Sequence, residues 1–129
     1  MAFLSNFALV PIAWEGILYP SVEHAFQAAK TLDVATRQRI AQAPTPGAAK
    51  SLGRHVPLRP EWNRLRVSVM RELLAIKFAQ PAFAIPLRTT APRLLVEGNS
   101  WNDTFWGVCR GQGQNWLGQL LMERRDLLR

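Results

Sequence analysis

Apolar and polar positions alternate first in two short runs. Leu9 to Trp14 and Ile17 to Tyr19 flank Glu15-Gly16, so residues 9–19 predict two strands joined by a tight turn, where glycine takes a positive φ at little cost. Pro20-Ser21 then predicts a helix start, with Ser21 as N-cap, Glu23 in the first turn and an end near Leu32. Val22, Ala25, Phe26 and Ala29 make its core stripe. A second short helix is expected over 34–42, stopped by Pro44, and a third from Thr45-Pro46 to Gly53. The longest helix starts at Pro60 or Glu61 and reaches Phe78. Its inward side carries Trp62, Leu65, Val69, Leu73 and Ile76, with Arg64, Ser68 and Arg71 away from it. Pro81 and Pro86 bracket a short helix or turn, and Leu94-Leu95-Val96 predicts a brief strand. Residues 97–115, rich in Gly, Asn, Asp and Trp, read as a long loop of the kind that usually carries function. A last helix covers 116–128, with Leu117, Leu120, Leu121 and Leu128 inward. With no repeat or linker, the pattern predicts one compact α+β domain over 1–129, mostly helical with a small β-sheet.

Composition narrows the class. The 129 residues are 48% hydrophobic and 19% charged, which is globular rather than disordered. No apolar run approaches the ~20 residues of a membrane span, and no signal peptide is read at the N-terminus. A single cysteine, Cys109, excludes an internal disulfide and makes the reducing cytoplasm the expected compartment. The net charge is +7, and thirteen of the 16 basic residues are arginines, whose planar fork of donors suits phosphates and carboxylates. An anionic partner is therefore expected: a phosphorylated small molecule, a dinucleotide or a nucleic acid.

Two segments could carry chemistry. Glu23, Gln27 and Lys30 stand at i, i+4 and i+7, so a carboxylate, an amide and an amine share one edge of the apolar face of their helix. This edge is either a pocket floor or an ordinary solvated margin. The second segment is Gly98 to Gly107, where Trp101, Phe105 and Trp106 accompany Asp103. Aromatic faces beside a carboxylate suit a planar heterocycle next to a reacting sugar, although Phe105 and Trp106 can equally pin the loop and Asp103 can cap a turn. Gly111-Gln112-Gly113 lacks the third glycine and the βαβ setting of a dinucleotide fingerprint. Two histidines, His24 and His55, and one cysteine give no zinc spacing, so no metal or other cofactor is expected.

Three blocks of sequence go further. The first is Phe3-Leu4-Ser5-Asn6-Phe7 with Tyr19-Pro20-Ser21-Val22-Glu23-His24-Ala25-Phe26-Gln27-Ala28-Ala29-Lys30. Next comes Ala48-Ala49-Lys50-Ser51-Leu52-Gly53-Arg54, leading through Trp62 and Val69-Met70 to Lys77-Phe78. The third holds Leu95-Val96-Glu97, Asn102-Asp103, Trp106-Gly107, Gly113-Gln114-Asn115-Trp116-Leu117-Gly118 and Leu121-Met122-Glu123-Arg124-Arg125. In this order, over nearly the whole chain, they resemble the NADAR family, which includes the YbiA-like N-glycosidases. The resemblance implies a small α+β fold that cleaves N-glycosidic bonds of ribosides. Its substrates would be ribosylamino-pyrimidine phosphates of riboflavin synthesis, or ADP-ribosylated guanine in a nucleotide or nucleic acid. It also implies Glu23, Lys30 and Asp103 as catalytic residues. Asn6, Gln27, Arg54, Trp101, Trp106 and Asn115 are the candidate substrate contacts, with Trp101 or Trp106 on the base and Arg54, with Arg110 as a further candidate, on phosphate.

Glu23 and Asp103 could act as an acid–base pair, or Lys30 could capture C1 as a Schiff base, provided Glu23 does not hold it in a salt bridge. His24 is expected to be structural. Relatives often carry a lead-in strand before the Ser5-Asn6-Phe7 block, so the sheet is expected to lack an edge strand. A non-catalytic ADP-ribose or nucleic-acid binding module is the competing reading; it has no use for a buried carboxylate beside an anionic ligand.

Overall fold

The computed structural model describes residues 1–128. Among them the architecture is α+β, with six helices and two small two-stranded pairs. Backbone contacts divide the chain into a first unit, Met1–Lys77, and a second from Phe78 onward. No helix is long and apolar enough to cross a membrane among the described residues.

In the first unit, β1 (Leu9–Trp14) and β2 (Ile17–Ser21) form the predicted antiparallel hairpin, with Trp14 opposite Ile17. Glu15 and Gly16 both take positive φ, 46° and 82°, which gives the turn a twist matching the strands. Register shifts between Leu9 and Ile12, where Pro11 cannot donate to the ladder. Val10, Ile12, Trp14, Tyr19 and Ser21 face inward, against α1 (Val22–Ala29).

Ser21 caps α1 as predicted, its Oγ accepting from the His24 N–H at 3.1 Å. The His24 ring is buried, with Nε2 donating to Ala43 O at 3.0 Å and Nδ1 2.7 Å from Ser21 Oγ, so its role is structural. The helix ends at Ala29 rather than near Leu32. Arg59 explains this: its Nη1 and backbone N–H occupy the carbonyls of Ala29 and Lys30, at 3.3 and 2.7 Å, while Leu32 is exposed and adds no burial. All eight residues of α1 are buried, so it is a central helix rather than an amphipathic surface one.

Around it lie α2 (Val34–Ala41), α3 (Pro46–Gly53) and α4 (Trp62–Phe78). Thr45 caps α3 through Ala48 N–H, with Pro46 in the first turn. Phe26 of α1 meets Trp62 of α4 with ring centroids 5.3 Å apart. The buried face of α4 is Trp62, Val69, Met70, Leu73, Leu74, Lys77 and Phe78, whereas the expected Leu65 and Ile76 are only half-buried. Lys77, a cation on a core face, is fully buried with Nζ donating to Ser5 O at 2.9 Å. Burial lowers its pKa to about 8.

The second unit holds α5 (Pro81–Thr89), β3 (Gly98–Asn99), β4 (Val108–Cys109) and α6 (Trp116–Leu127). Pro86 lies inside α5 instead of closing it. The strand expected over Leu94-Leu95-Val96 does not form; the pair is β3 with β4, parallel. Asn115 is the reason. Its side chain donates to Leu95 O and accepts from Glu97 N–H, both at 2.9 Å, so these backbone groups have a partner without a ladder.

Candidate active site

In the first unit the structure brings together the polar edge of α1 and the facing side of α3. Glu23 and Gln27 are buried and Lys30 is half-buried, so this edge is enclosed rather than a solvated margin. Gln27 Nε2 donates to Glu23 Oε1 at 3.1 Å, as i, i+4 spacing allows. The other end of the Gln27 amide, Oε1, is buried without a hydrogen-bond partner. Gly53 of α3 closes over this amide: a Cβ there would fall on it, 2.7 Å from Gln27 Cδ. Asn6 also converges here. Its carbonyl accepts from Glu23 N–H at 3.1 Å, its Nδ2 approaches Met70 Sδ at 3.7 Å, and its buried Oδ1 has no partner.

Burial raises the Glu23 pKa, against the opposing pull of the Gln27 hydrogen bond and of Lys50, Lys30 and His24. Burial lowers the Lys30 pKa, assisted by Lys50 and Arg54 and resisted by Glu23. Both groups are thus pushed toward their neutral forms. No ion pair joins Lys30 to Glu23 among the described residues. Arg54 is exposed at the end of α3, where its charge acts on Lys30.

The second unit contains the other candidates, and there the loop is built from Asx turns. Asn99 Oδ1 accepts from Trp101 and Asp103 N–H, at 3.3 and 3.0 Å, while its Nδ2 donates to Asp103 O at 2.8 Å. Asp103 Oδ1 accepts from the N–H groups of Phe105 and Trp106, at 3.2 and 2.9 Å. Asp103 therefore does cap a turn, and its Oδ2 makes no hydrogen bond among the described residues.

Phe105 packs edge-on against Trp106, with centroids 4.9 Å apart, which pins the loop, whereas Trp101 is 61% exposed. Carbonyls of Phe105 and Trp106 accept from Trp116 and Leu117 N–H, satisfying donors at the start of α6. Asn115 holds the backbone at Leu95 and Glu97 with both ends of its amide. Arg110 and Gly111, at φ 52° and 76°, form a tight turn closed by mutual bonds between Cys109 and Gln112.

Sequence reasoning passed over three groups. Lys50 acts electrostatically on both Glu23 and Lys30. Gly53 seats Gln27. Glu97 is half-buried, and burial together with the nearby Asp103 carboxylate raises its pKa. Lys50 and Gly53 stand in the second sequence block and Glu97 in the third, but only folding shows what they face. No cluster of metal-ligating side chains exists among the described residues.

Comparison with known proteins gives the family of the chain. The NADAR domain profile matches residues 1–129, and the chain belongs to the NADAR family. Among individual proteins, it is similar to the N-glycosidase YbiA of Escherichia coli, 44% identical over 128 residues that cover 96% of this chain and 79% of that protein. A riboflavin biosynthesis protein of Vibrio vulnificus is 37% identical over 130 residues, covering 98% of this chain and 35% of its own length. The NMR structure of Escherichia coli YbiA matches with a TM-score of 0.86 at 43% identity, covering 98% of this chain and 77% of that one.

Proposed function

We propose that the protein hydrolyses the C1–N bond of a ribosylamine-type nucleotide, with Lys30 as nucleophile and Glu23 as its proton partner. The enzyme class is a hydrolase acting on N-glycosyl bonds, in line with the names of its relatives. The observation that carries the mechanism is the pair of Glu23 on α1 and Lys30 at its C-cap, both biased toward neutrality by burial and not locked in an ion pair.

The sugar ring opens as the nitrogen lone pair forms C1=N and the proton of that nitrogen passes to the ring oxygen. Neutral Lys30 Nζ adds to C1. The departing nitrogen leaves as the amine, with one proton from the Glu23 carboxyl and one from the Lys30 nitrogen, and Lys30 remains bound to C1 as a protonated Schiff base. Water then adds, C1 becomes the sugar aldehyde, and Lys30 and Glu23 return to their starting protonation. Water is the only co-reactant, and no cofactor takes part. Gln27 orients Glu23. Asn6 Oδ1 and Gln27 Oε1 offer acceptors to sugar hydroxyls or amine N–H groups, and Arg54 answers the phosphate.

The riboflavin biosynthesis name of the Vibrio relative favours a small ribosylamino-pyrimidine phosphate over ADP-ribosylated guanine. A product assay with both substrates, with Glu23→Gln as control, decides between them. Borohydride is expected to trap a sugar adduct on Lys30, and Lys30→Ala and Lys30→Arg are expected to lose turnover. Full activity in Lys30→Arg would exclude the covalent route and leave acid–base catalysis by carboxylates. Tight, salt-dependent binding without base release would favour the non-catalytic module.

A further inference from the structure

Within the second unit a cavity of about 480 Å³ is lined by Ile85, Arg88, Thr89, Ala91 and Arg125. It shares no residue with the candidate site above. Arg125 of α6 is only 8% exposed. Its Nη1 donates to Thr90 Oγ1 at 3.0 Å and to Arg93 O at 2.8 Å, which fixes the guanidinium in place. Thr90 is held in turn, its hydroxyl donating to Leu87 O at 2.7 Å. Arg125 Nε is buried with no hydrogen-bond partner, and no carboxylate pairs with the group among the described residues.

A guanidinium stays charged, so a permanent cation sits nine-tenths buried against two neutral oxygens. Buried charges are ordinarily compensated, because taking an ion out of water is costly. A second arginine lines the same cavity: Arg88 of α5 is exposed, and its guanidinium makes neither a hydrogen bond nor an ion pair among the described residues. Ile85, 59% exposed, supplies an apolar wall.

We propose that this cavity is an anion-binding site taking the phosphate group of a phosphorylated ligand. Two guanidiniums from different helices suit a tetrahedral anion, which can offer separate oxygens to each. A carboxylate presents one planar pair of oxygens and matches one fork at a time. The volume exceeds what an isolated small anion fills, so the phosphate would arrive attached to a larger group that rests on Ile85. That group is either a free nucleotide or the backbone of a nucleic acid, and both present the same chemistry.

The test is an NMR titration of the full chain with sodium phosphate, with ADP and with a short single-stranded oligodeoxynucleotide, at constant ionic strength set by sodium chloride. Saturable shifts are expected at Ile85, Arg88, Thr89, Ala91 and the Arg125 Nε–H. Arg88→Gln, an exposed substitution that leaves folding intact, is expected to weaken phosphate binding about tenfold, the effect of removing one charge-assisted contact. Saturation by ADP but not by the oligonucleotide assigns the free nucleotide as the source, and the reverse assigns nucleic acid. Identical shifts from chloride, shifts confined to the Glu23 and Lys30 region, or unchanged affinity in Arg88→Gln would overturn the proposal. Each readout is independent of glycosidase activity, so a failure here leaves the catalytic reading untouched.

Discussion

The polar edge of α1 and the loop from Asn99 to Trp106 carry similar residue types, yet they are built on opposite principles. On α1 the backbone is satisfied by helix, so the Glu23, Gln27 and Lys30 side chains are free of architectural duty, and burial shifts the ionisation of Glu23 and Lys30. In the loop, Asn99, Asp103 and Asn115 supply the hydrogen bonds that regular structure would otherwise provide. Their polar atoms hold the backbone first. The lesson is that a buried helix edge tunes chemistry, whereas a long loop must use much of its polarity to exist.

Substitution can sharpen this contrast, beginning with Glu23→Gln, which has the largest expected effect. Turnover should fall by about 10²–10⁴-fold, the usual contribution of a positioned acid or base. Stability should move the other way. A carboxyl whose folded pKa is raised gives stability that is complete below its unfolded pKa and is lost as pH rises through the folded one. Glu23→Gln should therefore melt a few degrees above wild type at pH 7 and show no gain at pH 3, as calorimetry would measure. A lower melting temperature at pH 7 would mean that burial does not penalise this carboxylate.

Lys77 tests burial away from the proposed chemistry. Its pKa is about 8 in the folded chain against the usual 10.5, so across this interval the unfolded chain binds more protons and stability rises with pH. Denaturant titrations should show wild type gaining about 2–3 kcal/mol between pH 8 and 10.5 relative to Lys77→Met. Parallel curves would show that the ammonium is solvated.

Asp103 probes the loop principle. Asp103→Ala removes the acceptor for two N–H groups and should cost about 1–2 kcal/mol of stability. An asparagine there keeps an oxygen at the turn, so Asp103→Asn should melt like wild type. Activity of that variant then separates a chemical carboxylate from a turn cap: retained turnover assigns the cap alone.

Gly53→Ala has the smallest expected effect, about a tenfold loss in kcat/KM through displacement of Gln27. The loss should shrink in a Gln27→Ala background, where the amide the methyl strikes is gone and only Cβ remains, 3.0 Å away. An equal loss in both backgrounds would make Gly53 a matter of helix packing only.

Local chemistry explains how much of this was legible beforehand. Glu15-Gly16, Ser21 and Thr45-Pro46 act through bonds to near neighbours, and the hairpin and helix starts follow them. The Glu23–Gln27–Lys30 edge was legible because helical spacing is a short-range rule. What depended on distant partners was not. The Leu95 strand fails because of Asn115, and the end of α1 is set by Arg59. Lys77 reads as a polar residue until Ser5, far away in sequence, meets it. Gly53 reads as a helix stop, and its service to Gln27 exists only once α1 and α3 are packed.

The complete burial of α1 bears on how the protein is made. Eight residues are too few for a helix to persist alone in water, so this one depends on its neighbours. Trp62 of α4 covers Phe26, and α4 leaves the ribosome after everything that precedes it. A growing chain that ends short of α4 therefore lacks the ring that covers Phe26 on α1. The burial that lowers the Lys30 pKa arrives only with the folding of the chain around α1.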